Sequence, residues 1–143
     1  MPGWWKDARA AYKAGNREQA WFLVGIMLHM IEDMGVPAHA NGVYHQGNVK
    51  EFDNFEAMAA QKFDPDFSLV DRTDPAYADP SRYYAFSQKW AHADAPDYQD
   101  PSEFSKTWIT ASRKEKKLMR RRQANTATVV TWALRAAAKT LLK

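Results

Sequence analysis

REQAWFLVGIMLHMIEDM, residues 17–34, is the most apolar segment of this chain and the most informative about its architecture. Placed on a helix of 3.6 residues per turn, its apolar side chains cover almost the full circumference, which is typical of a helix inside a bundle. Gly35 suits the position just after a helix C-terminus, and Pro37 lies where a helix cannot continue. The segment therefore predicts a central helix over 17–34 in an all-α helical bundle.

Helical patterns also dominate the rest of the chain. Short and medium helices are predicted over Trp4–Lys13 and Val49–Lys62, and a long one over about Lys114–Leu142, each from apolar residues at helical spacing. Between them, Asp64–Asp79 carries two prolines and several acids, so we expect a surface excursion with an extended piece at Phe67–Val70.

Two further helices are indicated by an aspartate followed by a proline. Asp79-Pro80 and Asp100-Pro101 each place an N-cap acid before a proline at the first helical position. Glu103 adds the partner for a capping box at the second step. We expect these helices to run through Trp90 and Trp108.

Composition indicates one globular domain over residues 1–143. The chain is 45% hydrophobic, carries a net charge of +3 and contains no cysteine. Disulfides and thiolate metal sites are therefore excluded, and a transition metal would need His, Asp and Glu ligands. No transmembrane segment or signal peptide is predicted, and the chain is expected to be part of a longer protein.

Two polar residues interrupt the apolar segment. His29 and Asp33 are four residues apart and share one helix face. Because burying an ionisable group without a partner is costly, something must compensate. A simple hydrogen bond between the two is one reading, and a zinc ion held by both is the other.

His39 favours the metal reading. It follows Pro37 by two residues, so a chain reversal at Gly35–Pro37 can return its imidazole towards the Asp33 carboxylate, which could then bridge two ions. The further candidate ligands downstream are His45, Glu51, Asp53 and Glu56.

The pattern Leu28-His29, three residues, Asp33, a proline at 37 and His39-Ala40 resembles the central segment of the zinc-dependent phospholipase C superfamily, which includes single-strand-specific nucleases. Phe52–Phe55 is similar to that family's acidic-Asn-Phe step, and 118–132 to its final helix. The resemblance implies an all-helical fold, here without the family's N-terminal part, and hydrolysis of phosphodiesters at up to three zinc ions.

Carried over, the resemblance implies that His29 binds a first zinc, that Asp33 bridges two, and that His39 and Asp53 bind a second. The family's histidine four residues before its acidic ligand is Val49 here, and His45 is a candidate replacement. The family's other ligands come from an earlier part of the chain, so we expect fewer zinc ions here, with a missing N-terminal segment or self-association completing the domain. Extracellular or periplasmic location is also implied.

A basic run lies near the start of the last predicted helix. Residues 113–122 hold seven positive and one negative side chain. Such a run is more often a solvated helix face, but Arg120, Arg121 and Arg122 are candidates for binding phosphate of a lipid or a nucleic acid.

Three functions follow as hypotheses. The first is a phospholipase C-type zinc-dependent phosphodiester hydrolase, acting on phospholipid or another phosphodiester, with nucleic acid less favoured. The second is a non-catalytic zinc-binding or scaffold module. The third is a phosphate-surface binder through Arg113–Arg122. We assign no catalytic residue from the sequence.

Overall fold

The computed structural model describes residues 3–42, 54–98, 104–105 and 107–143. Within those ranges the protein is all-α and contains no strand. Several predicted features lie outside them: the candidate ligands His45, Glu51 and Asp53, the start of the predicted Val49–Lys62 helix, and the Asp100-Pro101 step with Glu103. No helix in the described ranges has the length and apolar character that crossing a membrane requires.

The first two helices form a hairpin. Helix α1 spans Trp4–Lys13 and α2 spans Arg17–Asp33, within one residue of the predicted bounds. Gly15 adopts a positive φ of 84°, which glycine permits without steric cost, and the Asn16 side chain accepts a hydrogen bond from the Gln19 N–H. This short connection places α1 against α2.

The prediction that α2 is buried on all sides is wrong. Ala20, Val24, Met27 and Ile31 are buried, at the spacing of a single helix face. Phe22, by contrast, is 62% exposed. The buried face packs against α1 and the later helices, so α2 lies at the side of the bundle rather than in its interior.

Two hydrophobic clusters divide the bundle. The first joins α1, α2, α5 (Tyr83–Asp94) and α6 (Arg113–Leu141), and includes a stacked pair of Trp90 and Trp132. The second joins the short α3 (Pro37–Ala40), α4 (Asn54–Gln61) and the N-terminal half of α6. Helix α6, about 44 Å long at 1.5 Å per residue, belongs to both clusters.

Two local predictions are wrong. Phe67–Leu69 is a 3₁₀ turn rather than an extended piece, because the Asp66 side chain accepts a hydrogen bond from the Ser68 N–H. Trp108 lies in a turn rather than a helix, and its main-chain N–H donates to the Gln61 side chain. The prediction that a helical segment begins at the Asp79-Pro80 step is confirmed. This segment begins as a 3₁₀ turn, Pro80–Arg82, which leads directly into α5.

Candidate metal centre

The C-terminal end of α2 carries the first pair of candidate ligands, His29 and Asp33, called here the α2 pair. One helical turn separates them, and His29 Nε2 lies 3.6 Å from Asp33 Oδ2. Their side chains are 69% and 34% exposed. The separation is long for a hydrogen bond, whereas two ligands of one tetrahedral zinc lie about 3.3 Å apart. A small rotation of either side chain would therefore allow a direct hydrogen bond between the two residues or the binding of one zinc ion by both.

His39 reaches back to the end of α2. The chain reverses after Asp33, Pro37 begins α3, and His39 Nδ1 comes within 3.0 Å of the Asp33 main-chain oxygen. Because a carbonyl oxygen only accepts, Nδ1 carries the proton and donates, and in the neutral ring Nε2 then carries the lone pair. Zinc-binding histidines commonly hold their second nitrogen in this way.

This geometry differs in one respect from the sequence-based prediction. We expected the imidazole of His39 to approach the carboxylate of Asp33. It approaches the carbonyl of the same residue instead, while the carboxylate faces His29. Asp33 therefore contacts both candidate histidines through different groups.

Glu56 lies beside His39 and forms with it the second pair, called here the α3–α4 pair. Its Oε1 is 3.8 Å from His39 Nε2, and the two side chains are 22% and 24% exposed. Packing accounts for the approach, since Ala38 of α3 and Phe55 and Met58 of α4 share the second cluster. The sequence offered Glu56 only as one of several acidic residues, and its position in α4 distinguishes it.

The described residues thus bring candidate ligands together in pairs. No group of three or more His, Asp or Glu side chains within them is placed to hold a metal ion. The chemistry of each pair, an imidazole nitrogen and a carboxylate oxygen, nevertheless suits zinc. Both pairs fit as partial ligand sets, and the roles predicted for His45 and Asp53 stay predictions.

An apolar pocket of about 380 Å³ is lined by residues from the C-terminal end of α2, from α4 and from α6. Val36 and Phe55, which line it, lie directly before α3 and directly before Glu56. Phe63 also lines this pocket, although the residue is 72% exposed. Neither His39 nor Glu56 is among the described residues that line this pocket.

The three arginines predicted to bind phosphate have different environments. Arg122 is 2% exposed, and its Nη1 lies 2.6 Å from Asp94 Oδ2, while its Nε donates to the Gly35 carbonyl. Burial lowers the pKa of Arg122, and the hydrogen bond to Asp94 opposes that effect. Arg120 pairs with Asp64 and Asp66 on the surface, and Arg121 is partly buried. Arg122, which belongs to α6, therefore links this helix to the C-terminal end of α2 and to α5.

Comparison with known proteins adds no relative, since no protein-family model, no curated protein and no solved structure matches this chain.

Proposed function

We propose that this protein is a phospholipase C-like zinc-binding domain that takes part in the hydrolysis of phosphodiesters. The observation that carries the proposal is the hydrogen bond from His39 Nδ1 to the Asp33 carbonyl, 3.0 Å long. It orients the ring and leaves the Nε2 lone pair available to bind zinc. The resemblance of 28–40 to the superfamily's central segment supports the same assignment.

The α2 pair and the α3–α4 pair would hold zinc in this proposal. His29 and Asp33 offer one nitrogen and one oxygen ligand, and His39 and Glu56 offer another such set. We propose Asp53 as a further ligand beside His39, as the resemblance implies. A bound zinc supplies Lewis acidity and a water of lowered pKa.

The protein's own groups would also prepare the site for substrate. The Asp33 and Glu56 carboxylates provide negative charge that a divalent cation neutralises, and the His39 hydrogen bond fixes the geometry before zinc arrives. The apolar pocket lined by Val36 and Phe55 would take an apolar substituent of the substrate and exclude water there. This combination favours a phospholipid over a nucleic acid.

The test is phosphodiester hydrolysis by the zinc-loaded protein, with a water-soluble short-chain phosphatidylcholine and with a simple aryl phosphodiester. We expect hydrolysis that falls by at least about tenfold to a hundredfold in His39→Ala and in His29→Ala. His92→Ala serves as control, because His92 Nδ1 bonds the Asn41 side chain and belongs to neither pair. Equal activity in all variants would contradict the proposal.

A non-catalytic zinc-binding module is the second candidate function. The observation that favours it is the arrangement of the described ligands in pairs, with His29 largely exposed. Zinc binding that depends on His29 and His39, without hydrolysis of either substrate, would support this function over catalysis.

A further inference from the structure

A basic pocket lies on the first two turns of α6, away from the zinc pairs. A depression of about 310 Å³ is lined by Arg113, Lys116, Lys117 and Arg120, together with Leu69 of the 3₁₀ turn and Asp66, which caps that turn. The four basic residues are spaced so that all lie on one face of the helix. All four belong to the run Arg113–Arg122 that the sequence offered as a phosphate-binding surface, and of the three arginines singled out in that run only Arg120 lines the pocket.

The charge of the basic pocket is unbalanced. Its lining carries four cations and one carboxylate, a net of 4 − 1 = +3, and the Asp64 carboxylate beside Arg120 reduces this to 3 − 1 = +2. The carboxylate is ionised at neutral pH, as an aspartate ordinarily is, and the hydrogen bond that the Ser68 hydroxyl donates to Asp66 lowers its pKa below the usual value. Like charges three and four residues apart destabilise a helix, so a bound anion would relieve a repulsion that the free protein carries.

Two of the four cations have their positions set by neighbours. The Nε of Arg120 donates to the Asp64 carbonyl and lies 3.3 Å from the Asp64 carboxylate. The Lys116 ammonium lies over the ring of Trp108, 5.6 Å from its centroid. Arg113 and Lys117 are exposed and complete the pocket near the N-terminus of α6, whose dipole also favours negative charge.

We propose that the basic pocket binds a phosphate group with more than one negative charge. Ammonium and guanidinium groups form strong, charge-assisted hydrogen bonds to phosphate oxygens, and here four residues that carry them line one depression. The ligand is either a soluble phosphate compound or a phosphomonoester headgroup. The pocket shares no residue with the zinc pairs, so the inference stands apart from the proposed hydrolase function.

The test is calorimetric titration of the protein with inorganic pyrophosphate in low salt, with a chelator present so that zinc plays no part. The pocket variant is Arg113→Gln/Lys117→Gln. The matched control is Lys114→Gln/Lys139→Gln, which removes the same charge from exposed positions of α6 outside the pocket. We expect pyrophosphate to bind the wild type, with affinity about tenfold or more lower in the pocket variant and within about twofold in the control.

Equal weakening in both variants would overturn the inference, since it would indicate net charge rather than a site. Absence of pyrophosphate binding by the wild type would overturn it as well. Because both mutated residues are exposed, the pocket variant should fold, and circular dichroism checks this. If it does not, Lys117→Gln alone is titrated against Lys114→Gln, with the same criteria.

Sedimentation with vesicles identifies the source of the phosphate. Phosphatidylcholine vesicles are compared with vesicles that also contain phosphatidic acid, whose headgroup is a phosphomonoester. Binding that requires phosphatidic acid and is lost in the pocket variant supports a headgroup ligand. Pyrophosphate binding without vesicle binding supports a soluble ligand.

Discussion

At the scale of single residues, Gly35 shows how closely α2 and α6 approach. A Cβ built at Gly35 would lie 2.1 Å from Thr126 Oγ1 and 2.8 Å from its Cγ2. The sequence predicted Gly35 as a helix-ending glycine, and it does follow the C-cap residue, Met34. Its lack of a side chain is required by a partner 91 positions away, which local sequence patterns do not reveal.

Gly35→Ala should therefore destabilise the protein by about 1–3 kcal/mol, because the added methyl overpacks a helix contact. Gly25→Ala is the control, since a Cβ at Gly25 meets nothing within 4 Å and alanine favours the helix by about 0.5–1 kcal/mol. Chemical denaturation measures both. A Gly35→Ala protein as stable as the wild type would contradict the close approach.

The buried Arg122–Asp94 ion pair leads to a second prediction. Asp94→Ala leaves a buried guanidinium without its carboxylate and should cost about 3–5 kcal/mol of unfolding free energy. Asp64→Ala removes one of the two carboxylates beside the half-exposed Arg120 and should cost no more than about 1 kcal/mol. Thermal or urea unfolding of the two variants compares them, and similar losses would argue against the burial of Arg122.

Residue roles were predictable where the signal was local. The i, i+4 spacing predicted that His29 and Asp33 share a face, and their atoms lie 3.6 Å apart. Glu56 beside His39 depends on the packing of α3 against α4, and the burial of Arg122 depends on Asp94, 28 positions away. Neither partner could be read from neighbouring residues, so the sequence treated Arg122 as part of a surface run.

At the scale of helices, bounds followed from caps and periodicity. The ends of α1, α2 and α6 lie within one residue of the predicted ends, because Gly15, Gly35 and the apolar stripes are local signals that can be read from neighbouring residues. The prediction of a helix through Trp108 is wrong because the hydrogen-bond partners of this segment are distant in sequence. The Ser105 main-chain N–H donates to the Glu115 side chain, and the Trp108 main-chain N–H donates to the Gln61 side chain. The capping box predicted at Glu103 lies outside the described residues, whereas Ser112 and Glu115 form one at the start of α6.

This capping box should make stability depend on pH. Burial raises the pKa of Glu115, but hydrogen bonds from Ser112 and Ser105 outweigh it and leave the pKa below its usual 4.5. A lowered folded-state pKa means that the stabilisation is present above about pH 4.5 and is lost as pH falls through the folded-state value. Glu115→Gln should therefore flatten the pH dependence of stability below about pH 4.5.

Unfolding measured between neutral and acidic pH checks this expectation. Ser112→Ala should lower stability by about 1 kcal/mol at neutral pH through loss of the N-cap. An unchanged acid dependence in Glu115→Gln would contradict the role assigned to this carboxylate.

At the scale of the whole molecule, the candidate zinc ligands lie where one hydrophobic cluster gives way to the other. The α2 pair belongs to a helix of the first cluster, and the α3–α4 pair to helices of the second. Asp33 contacts both histidines, and the Arg122 bond to Gly35 fixes the chain between them. Zinc at these pairs would thus stabilise the junction between the clusters as well as provide chemistry.

Metal content of the purified protein tests the zinc proposal most directly. Mass spectrometry after zinc loading at neutral pH and removal of unbound metal should find zinc on the wild type and on His92→Ala. It should find less on His29→Ala/Asp33→Ala and on His39→Ala/Glu56→Ala, each of which removes one pair. Zinc absent from the wild type, or equally retained by all variants, would contradict the account.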